Sequence, residues 1–112
     1  MLLNLDFKFR DITGKERNIV VPIDSEGSVL TYESFAKFLG SQIYSSPKLD
    51  GINAIEAARI ATSLYNTGSA ELNTTETDAL KKYIENSTLN IGAKEQILQA
   101  IREAENSKKA SD

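Results

Sequence analysis

Between residues 3 and 10 apolar and polar positions alternate strictly: Leu3, Leu5, Phe7 and Phe9 are separated by Asn4, Asp6, Lys8 and Arg10. A period of two marks a strand with one buried face. The alternation returns at Ile19, Val21 and Ile23, interleaved with Asn18, Val20 and Pro22, so residues 3–23 predict a β-hairpin. Parity sets its register. The two apolar faces coincide only if facing residue numbers sum to an even value, because a one-residue slip turns one apolar set toward water. A sum of 26 pairs Leu3 with Ile23, Leu5 with Val21 and Phe7 with Ile19. It also sets Arg10 against Glu16, a favourable cross-strand charge pair. What remains is the loop Ile12-Thr13-Gly14, the form of a type I turn closed by a left-handed glycine bulge. Pro22, without an amide proton, is expected at a sheet edge or at the end of the paired stretch.

After a polar loop at 24–28 the apolar spacing changes to threes and fours, and about four helices are expected. The first starts near Thr31, a suitable N-cap, and carries Tyr32, Phe35, Phe38, Leu39 and Ile43 inward. Ser45-Ser46-Pro47 ends it, and Asp50-Gly51 falls in the following loop. The second covers 52–66 with Ile55, Ile60, Ala61, Leu64 and Tyr65 inward. Its alanines (Ala54, Ala57, Ala58 and Ala61) favour helix and allow close packing, and Asn66-Thr67-Gly68 stops it. The third opens on a capping box, Asn73 with Glu76 or Thr75 with Asp78, ahead of the stripe Ala79, Leu80, Tyr83 and Ile84. The fourth starts near Asn90, turns Ala93, Ile97, Leu98, Ile101 and Ala104 inward, and frays after Glu105. The expected architecture is α+β: an N-terminal antiparallel β-hairpin packed on a bundle of about four α-helices.

The 112 residues suit one domain over 1–105, followed at 106–112 by a polar tail expected to be disordered. Hydrophobic residues at 40% and charged residues at 26% are ordinary for a globular chain. The net charge of −3 argues against a general nucleic-acid binder, which carries a basic field. There is no cysteine and no histidine. That removes a disulfide framework, a thiolate nucleophile, and the commonest general base and transition-metal ligand. The opening apolar run is broken by Asp6 and no run approaches membrane-spanning length, so neither a signal peptide nor a membrane span is expected. The expected location is the cytoplasm.

Candidate chemistry narrows quickly. Glu71, Glu76 and Asp78 surround the start of the third helix, where negative charge suits the helix dipole. The acidic loop at 24–27 lacks the alternating ligands and closing Glu of a calcium loop. The six glycines are isolated, with neither dinucleotide-binding nor P-loop spacing. No catalytic, metal or cofactor residues are therefore assigned, and no small-molecule substrate is indicated. The third and fourth helices, joined by Ser87-Thr88-Leu89-Asn90, have the short connection of a helix-turn-helix, but the outer face of the fourth mixes Lys94, Glu95, Gln99, Arg102 and Glu103. The hairpin's outer face remains: Asn4, Asp6, Lys8 and Arg10, with Glu16, Asn18 and Val20 opposite. A two-stranded sheet has open edges, and an edge can accept a strand from a partner or from a second copy.

Two stretches carry a resemblance. One is Leu5, Phe7, Lys8, Asp11, Gly14, Lys15 and Glu16; the other is Leu64-Tyr65-Asn66, Glu71-Leu72, Leu80-Lys81-Lys82, Ile84-Glu85-Asn86-Ser87 and the run from Ala93 to Leu98. Together they resemble small bacteriophage- and prophage-encoded proteins of unassigned role. The resemblance covers most of the chain, rests on structural residues, and implies a phage-derived accessory protein in the bacterial cytoplasm. The expectation is a non-enzymatic protein-interaction module that binds a partner or itself through the hairpin edge. The alternative is a DNA-interacting regulator using the third and fourth helices.

Overall fold

The N-terminal strand β1 (Leu2–Asn4) pairs with a strand late in the chain, β6 (Ser69–Glu71), with Leu3 opposite Ala70. The computed structural model describes residues 1–22, 26–27 and 29–111. Among them lie three two-stranded antiparallel pairs and four helices. The pairs are β1 with β6, β2 (Phe9–Arg10) with β3 (Glu16–Arg17), and β4 (Ile19–Pro22) with β5 (Val29–Tyr32). The helices are α1 (Phe35–Ser45), α2 (Ala54–Thr67), α3 (Thr74–Glu85) and α4 (Ile91–Ser111). The α+β expectation holds, with the N-terminal strands packed on the helices.

The parity register holds at the hairpin tip and fails beyond it. Arg10 faces Glu16 and Phe9 faces Arg17, both summing to 26. The Gly14 amide donates to the Asp11 carbonyl at 2.8 Å, with Gly14 at φ 84°, so the loop is as expected. Farther out, Leu3 pairs with Ala70, Ile19 with Tyr32 and Val21 with Leu30, while Ile23 lies outside the described residues. The cause is local. The Phe7 amide donates to the Leu5 carbonyl at 2.8 Å, a three-residue turn that breaks the strand. Leu5 is then bound by Gly68, whose carbonyl accepts its amide at 2.9 Å, and the Phe7 carbonyl accepts the Phe35 amide at 3.0 Å. Parity selects a face and leaves the partner open. A free hairpin of this size is marginal, whereas the observed pairing buries Leu3 and Leu5 completely. Pro22 ends its paired stretch opposite Val29.

Thr31 is not a helix cap: it sits in β5, and Ser34 caps α1 by accepting the Lys37 amide at 3.3 Å. Tyr32 accordingly leaves the helix stripe and packs edge-on against Phe38, ring centroids 5.6 Å apart. In α2, Ile60, Ala61 and Leu64 are buried, but Ile55 is 81% exposed and Tyr65 is 49% exposed. Ile55 lies five residues from Ile60, about 140° around the helix and off the buried stripe. Asn53 caps α2 and Gly68, at φ 83°, closes it. The Asn73–Glu76 capping box starts α3, each side chain accepting the other's backbone amide, at 2.8 and 2.9 Å. Asn90 caps α4 by accepting the Ala93 amide at 2.8 Å. Ala93, Ile97 and Ile101 then bury against Leu3, Leu5, Phe35 and Leu80 in one core. The backbone of α4 runs on to Ser111, through the stretch whose composition suggested a tail. Among the described residues, no helix is long and apolar enough to cross a membrane.

Candidate functional site

The β1–β6 pair treats its two outer edges differently. The Leu72 amide donates to the Met1 carbonyl at 2.8 Å and the Leu5 amide to the Gly68 carbonyl at 2.9 Å. In an antiparallel ladder the inward-bonding residues alternate. Residues 1, 3 and 5 therefore face β6, and the amides and carbonyls of Leu2 and Asn4 point away from it. On the far side of β6, α2 closes the edge: the Ser69 carbonyl accepts the Ser63 hydroxyl at 2.7 Å, and the Glu71 carbonyl accepts Nη1 of Arg59 at 3.1 Å. On the β1 side, among the described residues, nothing pairs with the Leu2 and Asn4 backbone. That edge is open.

The open edge looks into a groove of about 1290 Å³ whose other wall is α4. Asn4, Asp6, Lys8 and Arg10 line the strand side, while Gln96, Gln99, Ala100 and Glu103 stand among the lining residues of the helix. One end is already occupied. The Gln96 carboxamide accepts the Arg10 amide through Oε1 at 2.9 Å and donates from Nε2 to the Arg10 carbonyl at 2.7 Å. A side-chain amide thus supplies the donor and acceptor that a neighbouring strand would present.

The remaining predicted site residues lie elsewhere. Glu16 pairs with Arg10 at 3.0 Å across the β2–β3 tip. Asn18 and Val20 line a separate hollow of about 370 Å³ with Phe38, Gln42, Tyr83 and Thr88. The set expected on one sheet face is thus split between two concavities and, for Glu16, the hairpin tip, since β4 leaves β1 to pair with β5. The α4 wall is absent from the predicted set. Its signal lies in the spacing: Gln96, Gln99, Ala100 and Glu103 form a weakly charged stripe at helical spacing beside the buried Ala93, Ile97 and Ile101.

The electrostatics divide the same way. The Asp11 carboxylate organises the hairpin tip, accepting the Thr13 hydroxyl, the amides of Thr13 and Lys15, and Nε of Arg17 at 2.9 Å. The Thr13 hydroxyl first, and the Arg17 guanidinium next, hold its pKa well below the usual carboxylate range. Glu76 is the buried carboxylate among the described residues, 4% exposed. One oxygen accepts the Asn73 amide and the other accepts Nη2 of Arg59 at 2.9 Å. Glu56 and Glu76 together raise the Arg59 pKa. With every partner accounted for, this cluster ties α2 to the start of α3. Among the described residues, no group of three metal-ligating side chains converges.

No protein-family model, curated protein or solved structure matches the chain.

Proposed function

We propose that this protein works by contact, without a reaction of its own, and that its binding element is the open edge of β1 in the groove against α4. The observation that carries this is the asymmetry of the β1–β6 pair. Side chains of α2 occupy the β6 edge, Gln96 occupies Arg10, and the Leu2 and Asn4 backbone faces the groove unpaired. An extended polypeptide offers donors and acceptors in that pattern, and strand addition to an exposed edge is a common mode of recognition.

An exposed edge takes a strand from a partner protein or from a second copy of the chain. The resemblance to phage- and prophage-encoded proteins supports an accessory role in a bacterial cytoplasm. The DNA-contacting alternative has less behind it. Lys94 of α4 donates to the Glu85 carbonyl at 3.0 Å and Lys81 of α3 pairs with Glu105, so two cations of the helix pair already have partners within the chain and compete less well for phosphate.

The test is an NMR titration of the full chain with a library of short extended peptides. Binders should shift the Leu2 and Asn4 amides and slow their hydrogen exchange. Asn4→Pro removes an outward amide that β6 does not use, so it should abolish binding while the β1–β6 pair survives. Peptides that bind yet leave both amides unchanged would refute the edge. A concentration-dependent dimer in sedimentation, with the same amides protected, would assign the edge to self-pairing.

A further inference from the structure

We infer that the hollow beside β4 binds a small, uncharged aromatic amide, a role separate from that of the β1 edge. The hollow measures about 370 Å³, at the lower end of the range for small-molecule sites, so it suits one ring system with a short substituent. Its floor is apolar and already built, since Ile19, Phe38, Leu39, Ile84 and Ala93 are buried core residues. Phe9 and Leu89 add partly buried apolar surface, and Val20 lines the hollow while 55% exposed. Moving an aromatic ring from water onto such a floor is favourable in proportion to the apolar area covered.

Charge decides the next step. None of the fourteen residues that line the hollow is charged, in a chain where 26% of residues are. A carboxylate or an ammonium group entering it would give up hydration with no countercharge in return. The ligand is therefore neutral.

The polar groups at the rim select its substituent. The single hydroxyl proton of Ser46 goes to the Gln42 carbonyl at 2.7 Å. The Tyr83 hydroxyl, 2.9 Å from Ser46 Oγ, must then be the donor of that pair, and its oxygen is left to accept. Asn90 Oδ1 accepts the Ala93 amide, which leaves both N–H bonds of Nδ2 to donate. Among the described residues, the Asn18 and Gln42 carboxamides and the Thr88 hydroxyl have no partner in the chain. Free donors and free acceptors thus stand together around an apolar floor. A carboxamide answers both, since it carries an acceptor oxygen and two N–H donors in one plane and no charge.

The probes are benzamide, acetophenone and benzoate, which share a ring and differ in the polar group. Each is titrated onto the full chain at neutral pH. Binding is read by NMR from the Ile19 and Ile84 methyl groups and from the side-chain amides of Asn18, Gln42 and Asn90. Benzamide should bind with a Kd of about 1–10 mM, in keeping with its size. Acetophenone, which lacks the N–H donors, should bind about three- to tenfold more weakly, and benzoate should not bind in the same range. Gln42→Met keeps the shape and removes a carboxamide without a partner in the chain. Its urea midpoint should match the parent's, and it should bind benzamide only as well as the parent binds acetophenone. Benzoate or acetophenone binding as tightly as benzamide would overturn the inference, as would undiminished benzamide binding by Gln42→Met. The absence of any shift at these groups would overturn it too, and shifts confined to the Leu2 and Asn4 amides would put the compound in the groove against α4 instead.

Discussion

Gly40 provides a direct test of the helix packing, because the same substitution at Gly92 should have the opposite effect. A Cβ at Gly40 would lie 2.6 Å from the Ala61 carbonyl oxygen, 3.1 Å from the Tyr65 amide nitrogen and 3.2 Å from Tyr65 Cβ. Two of those are backbone atoms of α2, so no rotamer change relieves the contact and the α1–α2 pair must separate. In an unobstructed helix, Gly→Ala stabilises by about 0.5–1 kcal/mol. Overpacking a close interface costs about 1–3 kcal/mol. Gly40→Ala should therefore destabilise by about 1–2 kcal/mol net, lowering the urea midpoint by on the order of 1 M for a slope of about 1–2 kcal/mol/M. At Gly92 the nearest atoms to a new Cβ are Asn90 Oδ1 and Phe9 Cε2, both at 3.5 Å, which is ordinary contact. Gly92→Ala should leave stability unchanged or raise it by up to about 1 kcal/mol. Equilibrium urea unfolding followed by circular dichroism reads both. A Gly40→Ala midpoint at or above the parent's would refute the close crossing, and so would equal shifts of the two variants.

Gly68→Ala combines a strained φ of 83° with a Cβ only 2.6 Å from Asp6 Cβ; a loss of about 2 kcal/mol or more is expected in the same assay. Asn73→Ala removes the cap from α3 and half of a reciprocal pair, and should cost about 1 kcal/mol; an unchanged midpoint would show that the box contributes nothing. Asp11 is held below its ordinary pKa by partners present only when folded, so its support of the hairpin is complete above the unfolded value of about 4 and lost as the pH falls below it. The Thr13 and Lys15 amide resonances should track that loss in the parent and lose it in Asp11→Asn; a persistent transition in the variant would assign it to another group.

Local signals were legible in the chain and long-range ones were not. Ile12-Thr13-Gly14 between Arg10 and Glu16 identifies the turn, and Asn73 with Glu76 identifies a helix start, because each acts within a few residues. The partner of β1 is Ser69-Ala70-Glu71, three residues with no alternation and little β propensity, so no strand signal exists there. Thr31 and Ser34 are both acceptable caps, and the choice depends on β5 pairing with β4. On the groove, Asn4, Asp6, Lys8 and Arg10 follow from alternation alone. Gln96, Gln99 and Ala100 do not, because their position opposite β1 depends on where α4 packs.

The long sequence separation between β1 and β6 also orders events on the ribosome. Leu3 leaves synthesis well before Ala70, and at roughly 5–20 residues per second the wait is on the order of 3 to 13 s. Through that interval Leu2, Leu3 and Leu5 have no strand to join, and the helical hairpin of α1 and α2 can form before β1 has a place. Closing β1 onto Ser69–Glu71 is then a late, topology-limited step. During nascent-chain growth this segment is an unpaired apolar strand, and a chaperone or a neighbouring nascent chain has several seconds to find it.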